Sequence, residues 1–166
     1  MLLQWSAPEY MPHSFQVSGL SGTVGHKQTG NCFDLTKQVA DGFVGMQELS
    51  KGLFLVQSEM AFKRETELYE EYPERKVFQL SFCMNGICEW DYRQKQGEHY
   101  QLSPTQCSLQ CGTFSQCVSH FGSEQPYHTL SISLEEGCFS SLTEDLEAAH
   151  LIRRDNKICT HIFSTT

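Results

Sequence analysis

The sequence has no Cys-x-x-Cys pair and no His-x-His pair anywhere in its 166 residues. The first absence removes the usual spacing of a structural zinc clip, and the second removes a common paired ligand for a metal held on one strand. There is no G-x-x-x-x-G-K-[ST] phosphate loop, since SGLSGTVG lacks both the lysine and a strand-then-helix context. There is no G-x-S-x-G nucleophile elbow either. No apolar run approaches the roughly 18 residues of a membrane span. The opening MLLQWSAPEYMPHSF lacks the basic start and continuous apolar stretch of a signal peptide. A cytoplasmic protein is therefore expected. Basic residues are scarce, 12 against 20 acidic, for a net charge of −8. Such a surface repels phosphate backbones, so this segment alone is a poor nucleic-acid binder. What remains is an ordinary globular balance, 39% hydrophobic and 19% charged, long enough for one domain with its own core.

Cysteine is the exception to this scarcity, with eight: Cys32, Cys83, Cys88, Cys107, Cys111, Cys117, Cys138 and Cys159. An even count allows a disulfide framework. A chain of this length needs no staples, however, and shows no secretion signal, so reduced, mostly buried thiols are expected.

Residues 1–41 are mixed and rich in Ser, Gly and His, and read as an arm of loops and short strand pieces, with a short helix over Leu35–Ala40. GLFLVQSEMAF reads as a strand, and RETELYEEYPERK as an exposed loop or a turn of helix. Short strands then follow at roughly ten-residue spacing with turn residues between, the pattern of a sandwich or barrel. One turn is placed at Ser103-Pro104-Thr105-Gln106. From Gly137 the character becomes helical: Phe139, Leu142, Leu146 and Ala149 share one stripe, with Glu144, Asp145 and Glu147 off it. The last segment, IRRDNKICTHIFSTT, carries no closing signal, so the chain is expected to continue.

The stretch SFCMNGICEW holds Asn85-Gly86 between two apolar runs, the strongest short hairpin signal. It predicts a two-residue turn with Met84 paired to Ile87 and Cys83 across from Cys88, about 4.5–5.5 Å apart at Cα. The alternation puts Phe78, Leu80, Phe82, Met84, Ile87, Glu89 and Asp91 on one face. It puts Gln79, Ser81, Cys83, Cys88, Trp90 and Tyr92 on the other. The second face mixes aromatic and hydrogen-bonding groups, as a ligand cavity does. The same aromatics also suit an ordinary core. The histidines show no metal-binding pattern: His99, His120 and His128 lie on separate strands, and His13, His26, His150 and His161 are isolated. No catalytic residues, metal ligands or cofactor are assigned.

Three stretches, FQLSFCMNGICEWDY, HYQLSPTQCSLQ and YHTLSISLEEGCFSSL, together resemble the N-terminal sensing domain of AraC-type transcription regulators. L-S-F-C-x-x-G-x-C-E followed by L-S-P-x-Q is similar to the branch that answers to ferric siderophores, the pyochelin-regulator group. Thr105 stands where that family commonly has Gly. The resemblance implies a mainly β, cupin-like (double-stranded β-helix) barrel with a C-terminal helix or helices, free of metal, that binds a small-molecule effector. The implied division is 1–41 arm, 42–136 barrel and 137–166 helical dimerisation and linker segment. DNA contact would fall to a helix-turn-helix domain outside these residues. In such a homodimer the effector-binding candidates are Trp90, Tyr92, Arg93, His128 and Leu130, and the dimer-face candidates Leu142, Leu146 and Ala149. A metal-dependent enzyme using His99, His120 and His128, and a thiol sensor working through Cys83 and Cys88, are the rival readings.

Overall fold

The structure is a computed structural model that describes residues 2–6, 14–17, 20–23, 25–27, 30–34, 40–92, 98–134, 145, 147, 149–150 and 158–165. Its thirteen strands belong to one sheet. Five short ones come first: β1 (Leu2–Ser6), β2 (Ser14–Val17), β3 (Leu20–Thr23), β4 (Gly25–Lys27) and β5 (Gly30–Asp34). Then come β6 (Ala40–Ser50), β7 (Leu53–Phe62), β8 (Thr66–Asn85) and β9 (Cys88–Tyr92). β10 (His99–Leu102), β11 (Gln106–Phe121), β12 (Tyr127–Leu134) and β13 (Cys159–Ser164) complete the set.

The two longest strands, β8 and β11, pair antiparallel along nearly their whole length. Each end of this ribbon has different neighbours. β8 pairs with β1 near its start and with β12 near its end, while β11 pairs first with β13 and then with β9. Two limbs therefore leave the ribbon, β12-β7-β6-β5-β4 on one side and β9-β10 on the other. They are distant in sheet order, yet Ala40, Val44, Met60 and Phe62 of one limb join Trp90, Tyr92 and Leu102 of the other in one buried cluster. The Phe62 ring stacks on Phe121 with centroids 4.7 Å apart. The sheet has curled on itself because one of its faces must leave water. A smaller cluster of Phe78, Leu109 and Cys111, with Leu80 and Leu134, occupies the opposite face of β8, β11 and β12.

The expected hairpin does not form. A type I′ turn needs positive φ at both central residues. Among the described residues only Gly86 has it there, at 76°; the non-glycine positions with positive φ are Thr105 and His150. Cys83 pairs with Thr129 of β12, whereas Cys88 pairs with Leu102 of β10 and Phe121 of β11. Asn85-Gly86-Ile87 is a corner that carries the chain from one side of the core to the other. Asn85 Nδ2 donates to the Pro126 carbonyl at 3.0 Å and ties the corner down.

RETELYEEYPERK is likewise not a loop, since β8 runs through it from Thr66. Thr66 and Leu68 are buried and Glu67 is exposed, a period of two rather than of a helix. The β8–β11 register shifts between Arg75 and Glu71, the stretch that holds Pro73, which has no N–H for the ladder. The turn at Ser103–Gln106 is as expected, closed by Gln106 N–H donating to the Ser103 carbonyl at 3.1 Å. Thr105 sits at φ 67°, the left-handed region where glycine is at ease. Cys159–Ser164, expected within the helical segment, is strand β13; Thr160 and Ile162 alternate with Cys159, His161 and Phe163 along it. Ala149 N–H donates to the Asp145 carbonyl at 3.0 Å, a bond of helical spacing. Leu142 and Leu146 lie outside the described residues, as do residues 35–39 of the expected short helix.

Candidate functional site

The inward face has two chemical halves. Trp90 and Tyr92 of β9 are 4% and 1% exposed. Tyr100 of β10, directly opposite Trp90, stacks on its indole at 5.6 Å and meets the Tyr92 ring edge-on at 5.7 Å. Thr160 of β13 donates to the Tyr92 hydroxyl at 3.5 Å, and the Tyr100 hydroxyl bonds the Glu98 carboxylate. Trp90 Nε1 is buried without a hydrogen bond of good geometry, although it lies close enough to the Tyr92 hydroxyl to favour its ionised form. Phe121 and Tyr127, 5.0 Å apart, extend this half.

The other half is hydroxyl and amide. Ladder pairing sets Ser81 of β8 between Ser131 of β12 and Ser108 of β11, and Gln79 between Ser133 and Gln110. Ser131 donates to Ser81 Oγ at 2.8 Å, Gln79 Nε2 donates to the same oxygen at 3.0 Å, and Ser133 donates to Gln79 Oε1 at 3.2 Å. Whichever way the Ser81–Ser131 bond runs, one hydroxyl hydrogen of the pair is left over. Ser108 Oγ is fully buried with no partner. The buried polar residues described are all Ser or Thr, with no charged side chain among them. A bare ion placed there would lose its hydration for no counter-charge, which costs several kcal/mol.

Three phenols share a further property. Burial, the largest cause in each case, pushes the ionisation of Tyr92, Tyr100 and Tyr127 above the ordinary value of 10.0. Tyr127 as a whole is half-buried, but its hydroxyl lies among Thr129, Cys88 and Cys83. The unfolded chain ionises these groups from about pH 10, while the folded chain resists. Their contribution is therefore complete below about pH 10 and declines as pH rises. In an absorbance titration the three phenolates are expected to appear only together with loss of β-structure by circular dichroism. Ionisation of all six tyrosines near pH 10 with the structure intact would sink this account.

Burial also raises the Cys83 thiol, whose Sγ donates to the Gly86 carbonyl at 3.4 Å and the Asn85 carbonyl at 3.5 Å. A protonated, buried sulfur is a poor nucleophile. No disulfide joins Cys83, Cys88, Cys107, Cys111, Cys117 or Cys159.

Of the residues named from sequence, Trp90 and Tyr92 lie on the inward face. His128 and Leu130 do not: Thr129 and Ser131 point inward opposite Cys83 and Ser81, which turns Leu130 to the far face with Phe82. Arg93 lies outside the described residues, and Ala149 is exposed. His99 and His120 meet on the outer face, each 3.1 Å from an oxygen of Asp91, with Glu89 and Glu67 beside them at 3.7 and 3.6 Å. His128 is away on β12. Among the described residues no group of three or more His, Cys, Asp or Glu is placed to hold a metal ion. Sequence reasoning missed Tyr100, Ser108 and Ser131 as inward residues. The signal for Ser131 was present in Y-x-T-x-S-x-S, a row of hydroxyls alternating with His128, Leu130, Ile132 and Leu134.

A curled, mainly β domain with no charged side chain among its described buried residues, aromatic at one end and hydroxyl-lined at the other, is the class this geometry defines. The sequence match is more particular: the family described as the regulatory protein PchR N-terminal domain covers residues 41–165. The chain belongs to that family. Three solved structures share part of its trace. The bacterial pirin YhhW from Escherichia coli, in complex with nickel(II), is 7% identical with a TM-score of 0.46, over 87% of this chain and 55% of that one. The EutQ protein of Clostridium difficile is 10% identical with a TM-score of 0.42, over 75% and 87%. The vicilin of Corylus avellana, hazelnut, is 12% identical with a TM-score of 0.44, over 86% and 48%. The chain spans about half the length of the pirin and of the vicilin. A search of curated proteins finds no match. No helix among the described residues is long and apolar enough to cross a membrane.

Proposed function

We propose that this chain is the effector-sensing and dimerisation domain of a cytoplasmic, AraC-type transcription regulator. In this reading it is a cupin-like barrel that receives a small molecule and performs no catalysis. DNA is read by a helix-turn-helix domain elsewhere in the regulator. The family match over residues 41–165 is the observation that carries the reading. The inward face supports it, with flat rings at Trp90, Tyr92 and Tyr100 and spare hydroxyl donors at Ser81 and Ser108. The effector class is a ferric siderophore with phenolate groups. Its aromatic rings match the stacked end, and its own iron offsets the charge that the uncharged lining does not. Binding then acts by favouring one of two dimer arrangements, by as much as its affinity for the two differs.

Thermal unfolding tests this. A ligand present at about a hundred times its dissociation constant adds about 2.7 kcal/mol of stability. A ferric phenolate siderophore is expected to raise the melting temperature, and the iron-free compound to do so much less. If bare iron, manganese or zinc ions raise it and no siderophore does, the metal-enzyme reading replaces this one.

A further inference from the structure

The last strand brings together three groups that the sensing role leaves unused. Cys159 of β13 lies directly opposite Cys111 of β11 in an antiparallel pair. Opposed residues of such a pair share a face and stand about 4.5 or 5.5 Å apart at Cα, both within the window a disulfide spans. Cys159 is half-buried and Cys111 is 1% exposed. His161, two residues along and on the same face, holds its Nε2 3.2 Å from Cys159 Sγ. Its ring is steadied by Phe163, stacked at 6.2 Å.

We propose that Cys159, Cys111 and His161 form a peroxide-responsive thiol pair, distinct from Cys83 and Cys88. Cys159 is the sulfur an oxidant can reach, and His161, with its proton on Nδ1, is placed to take the thiol proton on Nε2. The Cys159 sulfur attacks one oxygen of a hydroperoxide and the O–O bond breaks. The departing oxygen takes the proton back from His161 and leaves as an alcohol, or as water from hydrogen peroxide. Cys159 is now a sulfenic acid. The Cys111 sulfur attacks it, the S–O bond breaks, and water leaves with the Cys111 proton. The product is a Cys111–Cys159 disulfide that fastens β13 to β11. Thr160, beside Cys159, contacts Tyr92 on the inward face, so the bridge fixes the strand at the aromatic end of the core.

The test is mass spectrometry of the whole chain after one equivalent of hydrogen peroxide. The expected result is a loss of two hydrogens and a cross-linked peptide joining residues 111 and 159. A Cys83→Ser, Cys88→Ser double variant is expected to retain both. Cys111→Ser should instead trap the sulfenic acid at Cys159, captured by a dimedone probe. His161→Gln should slow the reaction by about tenfold or more, as loss of a general base does. The proposal is overturned if the cross-link in the native chain maps to other cysteines or does not form, or if Cys111→Ser gives no dimedone adduct at Cys159.

Discussion

A Gly86→Ala chain is expected to lose about 3 kcal/mol of stability. Two costs add. The corner holds φ at 76°, where an L side chain pays about 1–2 kcal/mol. A Cβ there would also stand 2.6 Å from the Pro126 carbonyl oxygen and 2.9 Å from the Tyr127 Cα. Both are backbone atoms, so the corner itself must shift, at a cost of about 1–3 kcal/mol for overpacking. For a domain of this size the loss corresponds to a fall in melting temperature of about 10 °C. The same change at Gly42 should be worse, because φ is 129° and the new Cβ would meet the Glu59 carbonyl oxygen at 2.0 Å. Gly122→Ala is the control: nothing lies within 4 Å of its Cβ, and a shift within about 0.5 kcal/mol is expected. Equal melting temperatures for the Gly86 and Gly122 variants would mean that the corner is not what holds β8 and β9 apart.

Trp90→Ala should cost about 3–5 kcal/mol, the range for removing a large buried ring. The indole is 4% exposed, stacks on Tyr100 and lies on the same inward face as Tyr92 and Leu102. Its loss removes apolar contact from both limbs of the curled sheet at once. Trp90→Phe keeps a ring against Tyr100 and fills more of the space, so about 1–2 kcal/mol is expected. Denaturant unfolding separates the two variants. If Trp90→Ala costs no more than Trp90→Phe, the indole is not part of the packed core.

The inward and outward faces of the central strands were legible in the sequence, whereas their partners were not. Gln79, Ser81, Cys83, Cys88, Trp90 and Tyr92 share a face in both readings, because side-chain alternation is a local property of an extended chain. Which strand lies alongside is decided by burial across the whole domain. Asn85-Gly86 is a local signal for a hairpin, and it lost to the demand that Cys88, Trp90 and Tyr92 join Phe62 and Leu102 in one core. The face of β12 was ambiguous for a related reason. Leu130, Ile132 and Leu134 look like the core side, yet the sheet has apolar residues on both faces, and the hydroxyl row points inward. The long β8 was hidden because its middle is highly charged, and charge reads as loop unless the period of two at Thr66, Glu67 and Leu68 is noticed. The family was legible from three short stretches, since the L-S-P-T-Q turn and the corner at Gly86 impose residue types that packing alone does not.

The claim that the inward face receives an effector is tested most directly by tryptophan fluorescence. The chain has two tryptophans, Trp5 and Trp90, so a Trp5→Phe variant reports from Trp90 alone. Titration with a ferric phenolate siderophore is expected to quench that signal saturably, one ligand per chain. A Ser81→Ala, Ser108→Ala double variant, which removes the spare hydroxyl donors without touching the rings, should weaken binding by about tenfold, the worth of one or two hydrogen bonds. No saturable change at Trp90, or equal affinity in the double variant, would contradict the account.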